Sequence, residues 1–284
     1  MIGVALYKYS IPSKLIDENG IRVDKRKYNE LRPLSCKIGV LPKCDGSAYV
    51  EMGGNKVLAG VFGPRKVAPR HISNPNEAVI RTMYRMATFS VDERKSPAPS
   101  RREIELSMVI RTALEPAIFV SYYPKTLIDI FIQILAADGG TRCASINAAS
   151  LALADAGIAL KDLVTAVAVG KVGGKVVLDL CDLEDKEGEA DLPIAMMPQN
   201  NEVTLLQFDG NMSKAEFMEA INLGLFGIKQ IYKVQQDAIR AKFKDISEGV
   251  AETEIEEETE VESEREKESE KVKERREGEG EPDD

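Results

Sequence analysis

Asp138-Gly139-Gly140-Thr141-Arg142-Cys143-Ala144-Ser145 is the stretch on which the reading of this 284-residue chain turns. Ahead of it, residues 126–136 (TLIDIFIQILA) are apolar and rich in β-branched side chains, the composition of a buried strand. Behind it, residues 146–155 (INAASLALAD) are small and Ala-rich, the composition of a packed helix that ends at Gly157. The order is strand, glycine turn, helix. Paired glycines let the backbone come close to a ligand, and the unpaired N–H groups of a helix's first turn attract an anion. Thr141 and Ser145 add hydroxyls, and Arg142 adds a planar cation suited to phosphate. The spacing is not that of a Walker loop, which requires G-x-x-x-x-G-K-[ST]. A tight turn with a surface arginine also fits this stretch alone, so the surrounding sequence has to decide.

The totals narrow the classes. Hydrophobic residues make up 43% of the chain, enough for a sizeable core. No apolar run reaches the length of a membrane span, and the N-terminus lacks the pattern of a signal peptide, so no membrane partner is expected. Cys36, Cys44, Cys143 and Cys181 show no C-x-x-C spacing; reduced thiols in a cytoplasmic protein are expected, not a zinc site. The net charge of −9 is unevenly placed. Residues 248–284 hold 18 acidic and 6 basic side chains, net −12, which leaves residues 1–247 with 32 basic and 29 acidic, net +3. The body is mildly basic, which keeps nucleic acid open as a partner.

Three segments follow: an extension over 1–21, a folded body over 22–247, and an acidic low-complexity tail over 248–284, expected to be disordered or a single charged helix. Within the body, Arg22 to Pro33 reads as a solvated charged loop. Residues 34–40 read as a weak strand, and 47–52 and 56–62 as a hairpin over Gly53-Gly54-Asn55, stopped by Gly63-Pro64. The basic loop from Arg65 to Arg70 is either solvated or a polyanion contact, and His71, the single histidine, has no nucleophile motif beside it. Residues 79–91 read as a strand or edge element, and 117–123 as a strand ahead of the central one. Ser100 and Glu103 form a capping box opening a helix, and Arg101 and Arg102 then lie in its first turn. Cations are disfavoured there unless an anion joins them. A second hairpin spans 164–180. It runs into an acidic bend in which Asp182, Glu184, Asp185, Glu187, Glu189 and Asp191 are either solvated or ligands for Mg²⁺ or Mn²⁺. A strand over 203–208 and a capping box of Ser213 and Glu216 lead into a long amphipathic helix to about Phe243. Two arginine-bearing helix starts, an acidic bend and no candidate nucleophile point to phosphoryl transfer by positioning and charge stabilisation.

Glu30-Leu31-Arg32-Pro33, Asp45-Gly46-Ser47-Ala48, Gly60-Val61-Phe62-Gly63-Pro64, Ser100-Arg101-Arg102, Gly139-Gly140-Thr141-Arg142 and Glu184-Asp185 with Glu189-Ala190-Asp191 occur in this order. Together they resemble the RNase PH family, and within it the catalytic RNase PH-like subunits of archaeal exosomes, over about residues 22–245. The resemblance implies an α+β fold, a single RNase PH-like domain of mixed sheets with packed helices. It implies 3′→5′ exonuclease action on single-stranded RNA by phosphorolysis, with inorganic phosphate as co-substrate and nucleoside diphosphates as products; the reverse reaction tails RNA. Gly139, Gly140, Thr141, Arg142 and Ser145 would hold phosphate with Arg102 opposite, and Arg101 would hold RNA near its 3′ end. Asp185 and Asp191 would be the catalytic carboxylates, dividing the roles of proton donor and ligand to Mg²⁺ or Mn²⁺. Arg65 and Arg70 would line the RNA channel. Implied partners are a related inactive RNase PH-like subunit, in a hexameric ring of three heterodimers, and RNA-binding cap subunits. The family's Asp-Gly-Arg is here Asp24-Lys25-Arg26, a departure that touches the course of the N-terminal loop. Two other readings compete: the non-catalytic ring subunit, which would lack Arg102, Arg142 or the aspartates, and a hydrolase with a metal-activated water.

Overall fold

The computed structural model describes residues 15–17 and 21–244. The acidic tail and most of the N-terminal extension lie outside the described residues. The described residues up to 239 form one compact unit; 240–244, the described part of a second, are helical. The elements in order are β1 (Leu34–Ile38), β2 (Gly46–Met52), β3 (Asn55–Lys66), β4 (Val79–Met86), α1 (Arg101–Leu114), β5 (Thr126–Ala136), α2 (Thr141–Asp155), β6 (Thr165–Val172), β7 (Lys175–Leu178), α3 (Asp182–Glu187), β8 (Ala190–Met197), β9 (Glu202–Leu206), β10 (Asp209–Gly210) and a long helix α4 that begins at 214.

Two sheets result. The first runs β1-β2-β3-β5-β4, with β4 parallel to β5 and the other pairs antiparallel. The second runs β10-β8-β6-β7, with β9 also on β8, all antiparallel. This is the expected mixed α+β arrangement. Helix α2 lies between the sheets, against β2, β3 and β5 on one side and β6 and β8 on the other. Cys143 to Leu153 are all buried, which explains a helix that is apolar and small all round instead of amphipathic. On β6, Ala168 faces Gly140 at the start of α2, while its neighbour Val169 faces Gly224 of α4 across the sheet. Both capping boxes form, at Ser100 with Glu103 and at Ser213 with Glu216. No helix among the described residues is long and apolar enough to cross a membrane.

Four readings need correction. Gly63-Pro64 does not stop β3, which continues to Lys66 through a register shift between Phe62 and Arg65. Pro64 has no N–H to offer a ladder, and the irregularity accommodates it while the Gly63 N–H donates to the Asp45 carboxylate at 2.8 Å. Residues 117–123 are not a strand: they form two 3₁₀ turns, Glu115–Ala117 and Val120–Tyr122, which bury Ala117 and Ile118 but leave Tyr122 exposed, with a single bridge from Ile118 to Leu160 in place of a ladder. The acidic bend is a short helix, α3, followed directly by β8. The Arg22 to Pro33 segment is a solvated loop only in part: most of its side chains are exposed, but Arg22 and Arg32 are 3% and 5% exposed.

Candidate active site

The turn before α2 takes its shape from two left-handed glycines, Gly139 and Gly140, both at φ 65°. A Cβ on Gly139 would lie 2.6 Å from the Cys181 backbone carbon, so only glycine fits. Gly140 is the N-cap, and no side chain caps the helix. The turn is clamped from the rear. Asn55 accepts from the Asp138 N–H at 2.7 Å and donates to the Gly139 carbonyl. Arg32 donates to the carbonyls of Asp138 and Gly139. Arg32 is itself paired with the fully buried Asp179 at 2.7 Å, a residue in the left-handed region at φ 57°.

In front of the turn is a cavity of about 200 Å³ lined by Gly139, Gly140, Thr141, Arg142, Arg102, Asp185 and Asp191. Arg102 enters from the first turn of α1, Asp185 from α3 and Asp191 from the second position of β8. The Thr141 hydroxyl accepts from Tyr84 at 3.1 Å. Helix α3 is anchored through Glu184, whose carboxylate receives Arg22 Nε at 2.7 Å and the Cys181 N–H at 3.0 Å. Arg22 also donates to the Asp179 carbonyl at 2.8 Å. With Glu184 turned inward, its neighbour Asp185 is presented to the cavity.

Charge at the site is unbalanced. Burial is the largest cause that lifts Asp191 to about 6; Asp185 adds to it, and Arg142 and Arg102 pull the other way. Asp185 is also raised, first by burial, with Arg102 opposing. Two buried polar atoms here have no partner among the described residues, Arg142 Nε and Asp191 Oδ1. One is a donor and one an acceptor, and leaving either unmet in a native structure costs about 1–3 kcal/mol.

Not every expected residue converges. Ser145 is fully buried, and its hydroxyl donates back to the Thr141 carbonyl at 2.7 Å, so it supports the helix and does not line the cavity. Arg101 lines a wider adjoining groove with Arg102, Arg142, Asp191 and Asp209. Arg65 sits at the other end of the first sheet, paired in register with Leu127 near the start of β5. The cavity follows the end of that strand, roughly 30 Å away at about 3.3 Å per residue. Arg65 is tied to Asp45 at 3.0 Å and lies over Phe62. The Arg70 side chain lies outside the described residues. Lys95 and Lys186 also line the cavity and were not singled out from the sequence. Lys186 pairs with Asp182 at 2.6 Å, whereas the Lys95 ammonium donates, among the described residues, to the Met86 sulfur at 2.9 Å, a weak acceptor. No periodicity or motif marks Lys95, which comes from a charged, proline-rich loop.

Models of the 3′ exoribonuclease family match the chain in two parts, domain 1 over residues 30–159 and domain 2 over 162–226. The chain belongs to the RNase PH family. Among this RNase PH member's relatives is the exosome complex component Rrp41 of Thermococcus kodakarensis, 56% identical over 237 residues, 84% of this chain and 95% of that one. The protein of the same name from Nitrosopumilus maritimus is 51% identical over 229 residues, 81% and 94% of the two chains. A solved structure, rice Rrp46, superposes with a TM-score of 0.68 at 28% identity, covering 76% of this chain and 98% of that one. Where the family pattern has a glycine, this RNase PH chain has Lys25, and Lys25 takes the left-handed conformation at φ 69°. The loop therefore keeps a glycine-like turn, closed by the Lys25 N–H on the Arg22 carbonyl at 2.9 Å.

Proposed function

We propose that this RNase PH member is the catalytic subunit of an exosome ring, a 3′→5′ exoribonuclease that cleaves by phosphorolysis. The observation that carries the reading is the pair of unpartnered buried atoms, Arg142 Nε and Asp191 Oδ1, on two residues that line one cavity. A phosphate held at the start of α2 satisfies the first, and a proton or a cation satisfies the second.

Inorganic phosphate rests on the N–H groups of the α2 turn, with Arg142 and Arg102 on either side and the Thr141 hydroxyl as a further contact. One of its oxygens attacks the phosphorus of the 3′-terminal phosphodiester. The bond from that phosphorus to the upstream 3′ oxygen breaks, and a nucleoside 5′-diphosphate leaves. The upstream 3′ oxygen takes a proton. Asp191, raised to about 6, is suited to hold that proton near neutral pH. Asp185 is then the second carboxylate of the pair, facing the same cavity. The arginines meet charge that develops on phosphate oxygens, which in a half-closed cavity is the main contribution the protein can make.

The carboxylates also fit a divalent ion. Asp185 and Asp191 offer hard oxygen donors, one of them buried and unpartnered. Among the described residues no group of three His, Cys, Asp or Glu converges, so phosphate and water would complete the shell, the usual way Mg²⁺ is held. Mg²⁺ or Mn²⁺ there would neutralise charge on the phosphate oxygens.

Arg101 in the outer groove binds the RNA backbone near its 3′ end, and Arg65 and Arg70 contact RNA further along its path. Such contacts carry no sequence preference. The ring comprises three copies of this chain and three of a related inactive subunit, with RNA-binding caps. Residues 22–247 form the catalytic domain, and 248–284 an appendage. The free thiols favour a reducing, cytoplasmic setting.

The test is product analysis. With its ring partner, the chain should release nucleoside diphosphates and stop when phosphate is dialysed away. Monophosphates, or turnover that continues without phosphate, would refute phosphorolysis in favour of hydrolysis.

A further inference from the structure

Arg22, Arg32 and Arg142, three of the arginines that brace or line the region around the α2 turn, are held differently. Arg22 rests on Glu184 and Arg32 on Asp179, both carboxylates. Arg142 rests on a neutral amide: its Nη1 donates to Oε1 of Gln207. Gln207 joins β9 to β10 and is half-buried. Its N–H donates to the Pro193 carbonyl at 3.2 Å, which ties it to β8 two positions from Asp191. Because a guanidinium only donates, the amide oxygen must face it. Arg142 Nε is left buried and unpartnered.

The choice of acceptor has a consequence. A carboxylate at 207 would orient the guanidinium equally well, but it would cancel the charge a dianionic ligand needs. An amide orients without neutralising. We propose that Gln207 is a positioning residue for the phosphate co-substrate, holding Arg142 by one nitrogen so that Nε and the undiminished cation meet the phosphate. This rests on the reading of the cavity as a phosphate site. Gln207 acts through Arg142 and is not among the residues that line the cavity.

The experiment uses the full chain assembled with its ring partner and measures KM for phosphate, KM for RNA and kcat separately. Gln207→Glu keeps shape and acceptor while adding a charge. It should raise the phosphate KM tenfold or more, leave the RNA KM within about twofold, and keep the thermal midpoint within a few degrees. Gln207→Met, which removes the acceptor at similar volume, should raise the phosphate KM as well, by loss of orientation. A purely structural role predicts the reverse order, with Gln207→Glu silent and Gln207→Met less stable. An unchanged phosphate KM in Gln207→Glu overturns the proposal. Failure of the underlying reading looks different: the unsubstituted complex would then turn over without phosphate.

Discussion

Replacing Asp191 by asparagine should inactivate the protein and stabilise it at once. Asp191 moves from the ordinary aspartate value of 3.8 to about 6 on folding, mainly through burial and the nearby Asp185. A difference of about 2 in pKa corresponds to about 3 kcal/mol, and partial solvent screening leaves about 2 kcal/mol. The sign follows from proton binding. With the folded value raised, the folded chain holds a proton that the unfolded chain has lost between about pH 4 and pH 6, so stability falls as pH rises through that window. Above about pH 6 the whole penalty is present. The amide of Asp191→Asn carries no charge to bury. In EDTA at about pH 7.5 the variant should gain about 2 kcal/mol, or roughly 4–8 °C for a folded body of this size, and the gain should vanish below about pH 4. Turnover should fall by about 10²–10⁴ from loss of the proton donor, while RNA binding persists. Thermal unfolding across pH, beside a turnover and a binding assay, measures all three. Equal midpoints at every pH would refute the electrostatic argument, and an active Asp191→Asn enzyme would remove Asp191 from the chemistry. Function here is held at the expense of stability.

Arg142→Ala should raise the half-saturating phosphate concentration by about 10–100-fold, with RNA affinity nearly unchanged, in steady-state kinetics. Arg22→Met should cost about 3–5 kcal/mol in urea unfolding because it leaves Glu184 buried and unpaired, and adding Glu184→Leu should recover most of it. Burial pushes Glu184 up but Arg22 overcomes it, leaving a net lowered pKa. The pair's contribution is therefore lost as pH falls through a value below the ordinary glutamate range, an acid limb the double variant should lack. Gly139→Ala should abolish turnover in an assembled ring, since φ 65° and a Cβ 2.6 Å from Cys181 displace the turn; normal phosphate kinetics would contradict this. Deleting 248–284 should leave turnover nearly unchanged, and a large gain in RNA affinity at low salt would count against the tail lying away from the RNA path.

Much of this protein is written locally. The β-branched run of β5, the glycine pair and the Ala-rich run of α2 each state a backbone preference without reference to the rest of the chain. The same holds for the capping boxes at Ser100 and Ser213, where one turn of helix contains both partners. Motif order then carried Arg102, Arg142, Asp185 and Asp191 to one site, and all four line the same cavity. Strand β8 escaped because Pro193 and the acidic residues before it look like a turn; its place between β6 and β9 supplies the ladder instead. The segment from Arg22 to Pro33 looked solvated because nothing near it in sequence neutralises Arg22 or Arg32. Their partners, Glu184 and Asp179, stand more than a hundred residues away. Ser145 looked like a ligand from its hydroxyl in the first turn of the helix and from the family resemblance, yet helix geometry turns that hydroxyl onto the Thr141 carbonyl. Gln207 carried no signal at all. Short-range propensity determined which pieces form, and only the packing of two sheets around α2 decided which charges meet, because pairing across a core depends on neighbours that periodicity cannot name.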